Sequence, residues 1–318
     1  MALQVLLILV ALALFWVRSL SAPQPMPDGD AILYHLLQQV LSSVPLLAVI
    51  IAMLLVLAEG VIINLVLADA NLVPQTSLLP TLLYIVAASA SSSTLTPVLL
   101  VNAILIACIY RLMLHGTALT ISTTRICSVT ALIGIASMIS LPATAFMLTY
   151  LLVAVNYRLY GWRDWAAMIL GFAAPYIALI VVLFLTDNLE TWWNHTTESF
   201  GAFGIFLGQT STIHLTADIV LTGIMLVALF AMIGRLNEKT VIFQKNALTV
   251  ILFVIGGIAV LFYTQMLPIE PALFAIPFAL CGTHLMLPAR QITIGRKKRR
   301  TWINDTLLII TLIAALLC

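Results

Sequence analysis

YRLYGWRDWAAMILGFAAPYIALIVVLFLTDNLETWW, from Tyr157 to Trp193, is the stretch whose reading decides the fold. It opens on a short loop with Arg158, Arg163 and Asp164. A mostly apolar run follows from Trp165 to Leu185. It closes on Asp187, Glu190 and the pair Trp192 and Trp193. At 1.5 Å per residue the run covers roughly 30 Å, the thickness of a bilayer's hydrocarbon core. Lys and Arg favour the cytoplasmic face of a membrane and tryptophan favours its interfaces. The segment therefore reads as one membrane span with a basic and an acidic end.

The remainder of the chain agrees. It is 63% hydrophobic and 8% charged, against roughly 25% charged in soluble domains. A soluble fold has no means of covering that much apolar surface. A net charge of +2 does not point to nucleic acid. Cys108, Cys127, Cys281 and Cys318 show no C-x-x-C spacing, so neither a disulfide framework nor a zinc site is indicated, and the expectation is buried free thiols.

Outward from that stretch, the chain divides into apolar segments separated by short loops. Leu3 to Val17 reads as a retained first span rather than a cleaved signal, because MALQ carries no positive charge. Residues 19–43 hold a Pro- and Gly-rich loop and then an interfacial helix from Ile32 to Ser43, with Asp30 as its natural N-cap. Val44 to Ala68 is a span. Leu78 to Ala90 is either a short crossing or a re-entrant hairpin, and the crossing is the expectation. Leu95 to Leu114 follows. Ile126 to Val155 is too long for one span and breaks at Ser140–Pro142. In the second half, Ser211 to Ile233, Ala247 to Tyr263 and Glu270 to Leu287 read as spans, the last interrupted by Pro277. Asp305 to Cys318 ends the chain. The expected fold is one all-α, polytopic bundle over residues 1–318, with about ten or eleven helices, several short or broken.

All Lys and Arg except Arg18 fall in the loops near 111–125, 158–163, 235–245 and 288–303. Those loops alternate with ones holding Asp187, Glu190, Glu198 and Glu270. This predicts cytoplasmic basic loops and an external acidic loop over 187–209. If Leu78–Ala90 crosses, the Asp28–Asp30 loop is external too.

Charged groups inside spans are costly and mark candidate sites. His214 and Asp218 stand at i and i+4 on one helical face, a pattern suited to proton or ligand coupling. The plainer reading is a mutual pairing near the interface. Glu59 is the other intramembrane carboxylate, and Asn64, five residues on, does not share its face. Asp28-Gly-Asp30 resembles the acidic pair in the first external loop of multi-span, lipid-dependent glycosyltransferases, where such acids bind a divalent metal or act as base. The same DGD is ordinary turn chemistry. Arg296, Lys297, Lys298, Arg299 and Arg300 determine topology and meet anionic lipid headgroups. Asn194-His-Thr196 is a glycosylation sequon that matters only in a eukaryotic secretory pathway. No nucleotide-binding, nucleophile-elbow or zincin motif occurs, and no cofactor is evident.

SLLPTLLYIVAASASSSTLTPVLLVNAILIACIYRLM (77–113), the paired short spans after Arg125, and YGWRDWAAMILGFAAPYI (160–177) together resemble a family of uncharacterised multi-span inner-membrane proteins of Gram-negative bacteria. The likeness covers about residues 59–187 and rests on Asn102, Arg111, Trp162, Arg163, Trp165 and Pro175. It implies a bacterial inner-membrane location and brings no activity.

Three functional expectations follow. The first is an envelope-biogenesis protein handling polyprenyl-linked glycans, with Asp28, Asp30 and Glu59 as catalytic carboxylates and a divalent metal under this reading alone. The second is a secondary transporter or proton-coupled subunit using His214 and Asp218. The third is a membrane scaffold. The partners expected are the lipid bilayer, other envelope membrane proteins or a lipid-linked substrate.

Overall fold

A computed structural model of the chain describes residues 2–27, 31–75, 77–90, 93–113, 122–159, 161–187, 189–190, 192–193, 196–197, 212–237, 239–264, 271–286, 308–313 and 315. Within this set the side chains of 2–3, 212–218, 235 and 262–264 are not described. The described residues are helical with short connections and no strand. The helices are α1 (Ala2–Ser21), α2 (Ile32–Leu41), α3 (Pro45–Asp69), α4 (Leu79–Ala90), α5 (Pro97–Met113), α6 (Thr123–Ile139), α7 (Phe146–Asn156), α8 (Trp162–Leu185), α9 (Thr212–Leu236), α10 (Val241–Thr264) and α11 (Ala275–Met286). Two 3-10 segments, Leu141–Ala145 and Pro271–Phe274, lead into α7 and α11.

Among the described residues, four helices are long and apolar enough to cross a membrane: Gln4–Ser21, Pro45–Asp69, Trp162–Leu185 and Val241–Leu261. α2, α4, α5, α6, α7 and α11 are shorter, and α9 is apolar over the part whose side chains are described, Ile219–Gly234. The organising stretch forms α8, whose outer face leaves Ile169, Leu170, Val181, Val182 and Leu185 exposed. Exposed apolar faces of this extent mark surfaces that meet a membrane or another protein. Trp162 at its start and Trp193 beyond its end are 75% and 61% exposed, as interfacial tryptophans are.

α8 joins the bundle through α6. The two run parallel: Thr123 Oγ1 donates to Asp164 at 3.3 Å, and Ser137 and Tyr176 share a hydrogen bond of 2.7 Å. Gly171 makes this packing close. A Cβ there would fall 2.5 Å from the Cys127 carbonyl oxygen and would also overlap the Thr130 hydroxyl. Small residues at such a contact let two helix backbones approach closely.

The break in Ile126–Val155 lies where Ser140–Pro142 placed it, since α6 stops at Ile139 and the 3-10 segment Leu141–Ala145 turns the chain into α7. Two expectations are corrected. α2 begins at Ile32, so Ala31 is its N-cap, in extended backbone and with no side-chain cap bond; Asp30 is one residue too early. Pro277 does not interrupt its segment. It sits in the first turn of α11, where proline's missing N–H has no helical partner to lose, and the irregularity precedes it at Pro271–Phe274.

The bundle has two chemically distinct ends. At one, Asn246 donates to the Ala70 carbonyl at 3.5 Å, Asn156 donates to the Lys245 carbonyl at 3.2 Å, and His284 meets the Leu72 carbonyl at 2.8 Å. The end of α3 is thereby tied to the ends of α7 and α11 and the start of α10, with Lys245 over the Tyr157 ring. At the other end, Ala31 and Ile32 of α2 share a cavity wall with Leu141, Trp192 and Thr196, and Asp187 and Glu190 line the adjoining groove. The first end is basic and the second acidic. The chain passes from Leu72 at the basic end through α4 to Leu95, whose carbonyl accepts the Tyr34 hydroxyl of α2 at 2.9 Å.

Candidate functional site

α4 occupies the centre. Every residue from Pro80 to Ala90 is buried, although twelve residues extend only about 18 Å. Short helices of this kind are stable at membrane depth when protein surrounds them, and here α1, α3, α11 and the Pro271–Phe274 segment do so. α11 is likewise buried from Ala275 to Thr283. It meets α4 at Gly282, whose Cβ would lie 2.8 Å from Leu83 Cδ1. Two half-length helices thus pack against each other inside the bundle.

Glu59 points into this junction. It is 2% exposed. The Tyr84 hydroxyl donates to its Oε2 at 2.8 Å. Gly60 makes the approach possible: a Cβ there would already lie 3.3 Å from Thr81 and Ile85, so α3 and α4 are near contact distance. Asn102 of α5 stands near the Tyr84 phenol, and its Nδ2 donates to the Ala272 carbonyl at 2.7 Å. A chain of neighbouring polar side chains on α3, α4 and α5 therefore reaches the segment leading into α11.

That chain is incompletely satisfied. Glu59 Oε1, Asn102 Oδ1, Thr81 Oγ1 and Asn64 Oδ1 are buried with no hydrogen-bond partner among the described residues. Buried polar atoms are nearly always paired. Among the described residues no basic side chain acts on Glu59, and its hydrogen-bond partner is Tyr84. A carboxylate so placed needs a counter-ion: a proton on its own oxygen or a bound cation. A small cavity of about 10 Å³, room for about one water molecule, lies alongside between Ala87, Pro271, Phe274, Phe278 and the α9 residues Leu221, Thr222 and Met225.

The structure treats the sequence candidates unequally. Glu59 lies in the site, and Asn64 is buried on α3 but bonds to nothing described. His214 and Asp218 fall within α9, about two turns and one turn before Thr222 respectively, and their side chains lie outside the described residues. Asp28, Asp30 and Arg296, Lys297, Lys298, Arg299 and Arg300 lie outside the described residues altogether. No group of three or more His, Cys, Asp or Glu able to hold a metal ion occurs among the described residues. Cys108 and Cys281 are buried free thiols, and Cys127 is a half-buried one. Tyr84 escaped the sequence reading because one tyrosine in the run LLPTLLYIVAASA looks like packing. The only available signal was Gly60 beside Glu59, a mark of close helix approach at a carboxylate.

Compared with known proteins, the chain matches no family model, no curated protein and no solved structure.

Proposed function

We propose that the chain is a multi-pass protein of the bacterial inner membrane that couples proton movement to transport, with Glu59 as the proton-carrying group. The observation that carries this reading is the Glu59–Tyr84 pair, in which a buried carboxylate has one oxygen hydrogen-bonded and, among the described residues, the other oxygen unpartnered and no basic neighbour. Intramembrane carboxylates of this kind mark proton and ion paths. Short helices meeting at mid-bundle are the usual setting for such a site in secondary transporters. Thr222, on the α9 face shared in register with His214 and Asp218, lines the small cavity, which supports those two residues as the entry to the path.

Sidedness follows from the two ends. The basic end is cytoplasmic by the positive-inside rule, and the acidic end with α2 and Asp187 is external. α1 then starts in the cytoplasm, with Trp16, near its far end, donating to Ser89 at 3.0 Å, and α4 carries the chain across. The bacterial inner-membrane location rests on the family resemblance. The reading as a glycosyltransferase on polyprenyl-linked sugars depends on Asp28 and Asp30; Glu59, its third carboxylate, is enclosed and lines neither of the cavities at the acidic end.

The test is proton flux into liposomes under an imposed potential, followed with a trapped pH-sensitive dye. Wild type is expected to conduct, Glu59→Gln to lose the flux, and Tyr84→Phe to retain a fraction. Equal flux for wild type and Glu59→Gln would remove Glu59 from the role.

A further inference from the structure

The largest cavity lies away from Glu59, on the outside of α8 at the acidic end. It is a groove of about 1010 Å³, at the upper limit of sites for single small molecules, roughly 300–1,000 Å³. One wall is a stripe on α8: Phe172, Tyr176, Ile180 and Phe184 recur every fourth residue and extend about 18 Å along the helix. Leu141 and Thr144 form the opposite wall, and Leu189, Trp192, Trp193 and Thr196 close the end. Tyr176 in that stripe is hydrogen-bonded to Ser137 behind it at 2.7 Å.

The charge is one-sided. Asp187 and Glu190 stand at the mouth beside the edge-to-face pair Trp192 and Trp193, and among the described residues that line it there is no Lys, Arg or His. Asp187 is held there by backbone geometry, in the left-handed region at φ 54 where it ends α8. Two carboxylates and two indole faces make a mouth for an ammonium group. An anionic head, including any lipid phosphate, is repelled at the same place. The apolar stripe behind it takes a chain, not a polar solute.

We propose that this groove binds a long-chain amine: an amphiphile with one ammonium head at Asp187, Glu190 and the two tryptophans, and a single hydrocarbon tail along Phe172–Phe184. The head sits at the level where tryptophan marks the membrane interface, so the ligand enters from the side without leaving the lipid. This does not depend on the role of Glu59.

The experiment uses spin-labelled dodecyltrimethylammonium and spin-labelled dodecyl sulfate with the full chain in uncharged maltoside micelles. The immobilised fraction of each probe is read by electron paramagnetic resonance. The ammonium probe is expected to bind at least about fivefold more tightly than the sulfate, a preference that salt weakens by screening and that Asp187→Asn/Glu190→Gln removes. Both carboxylates are exposed, so that variant folds. Ile180→Trp fills the groove and should abolish immobilisation of the ammonium probe while the Glu59 flux persists. Equal binding of the two probes would mean a crevice filled by any lipid and would overturn the proposal, as would no immobilisation of either or unchanged binding in Ile180→Trp.

Discussion

Replacing Gly171 by alanine tests whether α8 is held by backbone contact. The new Cβ falls 2.5 Å from the Cys127 oxygen and 3.0 Å from Cys127 Cα. Ordinary non-bonded separations are about 3.5–4.0 Å, so the helices must part by about 1 Å. The Thr130 hydroxyl that also clashes can rotate away, but the two Cys127 atoms belong to backbone and have no rotamer to change. A gap of that size forfeits roughly a quarter to a half of each contact, and an interface with only as many contacts as one buried leucine, about 40–60 at 0.1–0.2 kcal/mol each, loses on the order of 1–6 kcal/mol. Overpacked cores cost about 1–3 kcal/mol, and the two estimates meet near 2–3 kcal/mol. Two further glycines calibrate the measurement. At Gly282 the nearest atom is the end of the Leu83 side chain, which can rotate away, so alanine there costs under about 1 kcal/mol. At Gly223 nothing lies within 4 Å, and alanine should gain up to about 1 kcal/mol of helix propensity. The assay is apparent melting in detergent, where about 2–4 °C accompanies each kcal/mol. The expected order is Gly223→Ala at or above wild type, Gly282→Ala slightly below, and Gly171→Ala about 5 °C below. Gly171→Ala melting with wild type would refute the packing argument.

Three other outcomes follow. Tyr84→Phe removes the sole described partner of Glu59 and should destabilise by about 1–3 kcal/mol, whereas the pair Tyr84→Phe/Glu59→Leu, which leaves no carboxyl without a partner, should recover most of the loss in the same melting assay. Asn102→Leu cuts the bond to the Ala272 carbonyl and should speed amide exchange in Pro271–Phe274, read by mass spectrometry; unchanged exchange would count against that bond as the anchor. Burial pushes the Tyr157 phenol above its usual value of 10.0. The folded state therefore holds the proton more tightly than the unfolded one, so stability is full below about pH 10 and falls as pH rises beyond it. Tyr157→Phe should flatten the alkaline fall in melting temperature.

The helices were legible in the sequence because most of them are continuous apolar runs separated by short polar loops. α8, α3 and the break at Ser140–Pro142 could be read directly, since a long apolar run and a proline act locally. The ends of the bundle were legible too, through Lys and Arg. The interior was not. α4 reads as a weak span because every face of it meets protein, a fact of packing that periodicity does not record. Glu59 stood out because a carboxylate among apolar residues is costly anywhere, but its partner Tyr84, 25 residues away, becomes visible only once Gly60 brings α3 against α4. The groove was hidden for a related reason: its stripe Phe172, Tyr176, Ile180 and Phe184 looks like any lipid-facing surface until Trp192 and Leu141 close around it.

The most direct test of the central claim is modification by a hydrophobic carbodiimide, which enters from lipid and reacts with a protonated carboxyl. After treatment in native membranes, peptide mass spectrometry should find the adduct on Glu59, declining as pH rises and missing from Glu59→Gln. Absence of the adduct from Glu59 at every pH, while other carboxylates react, would contradict a proton-carrying Glu59.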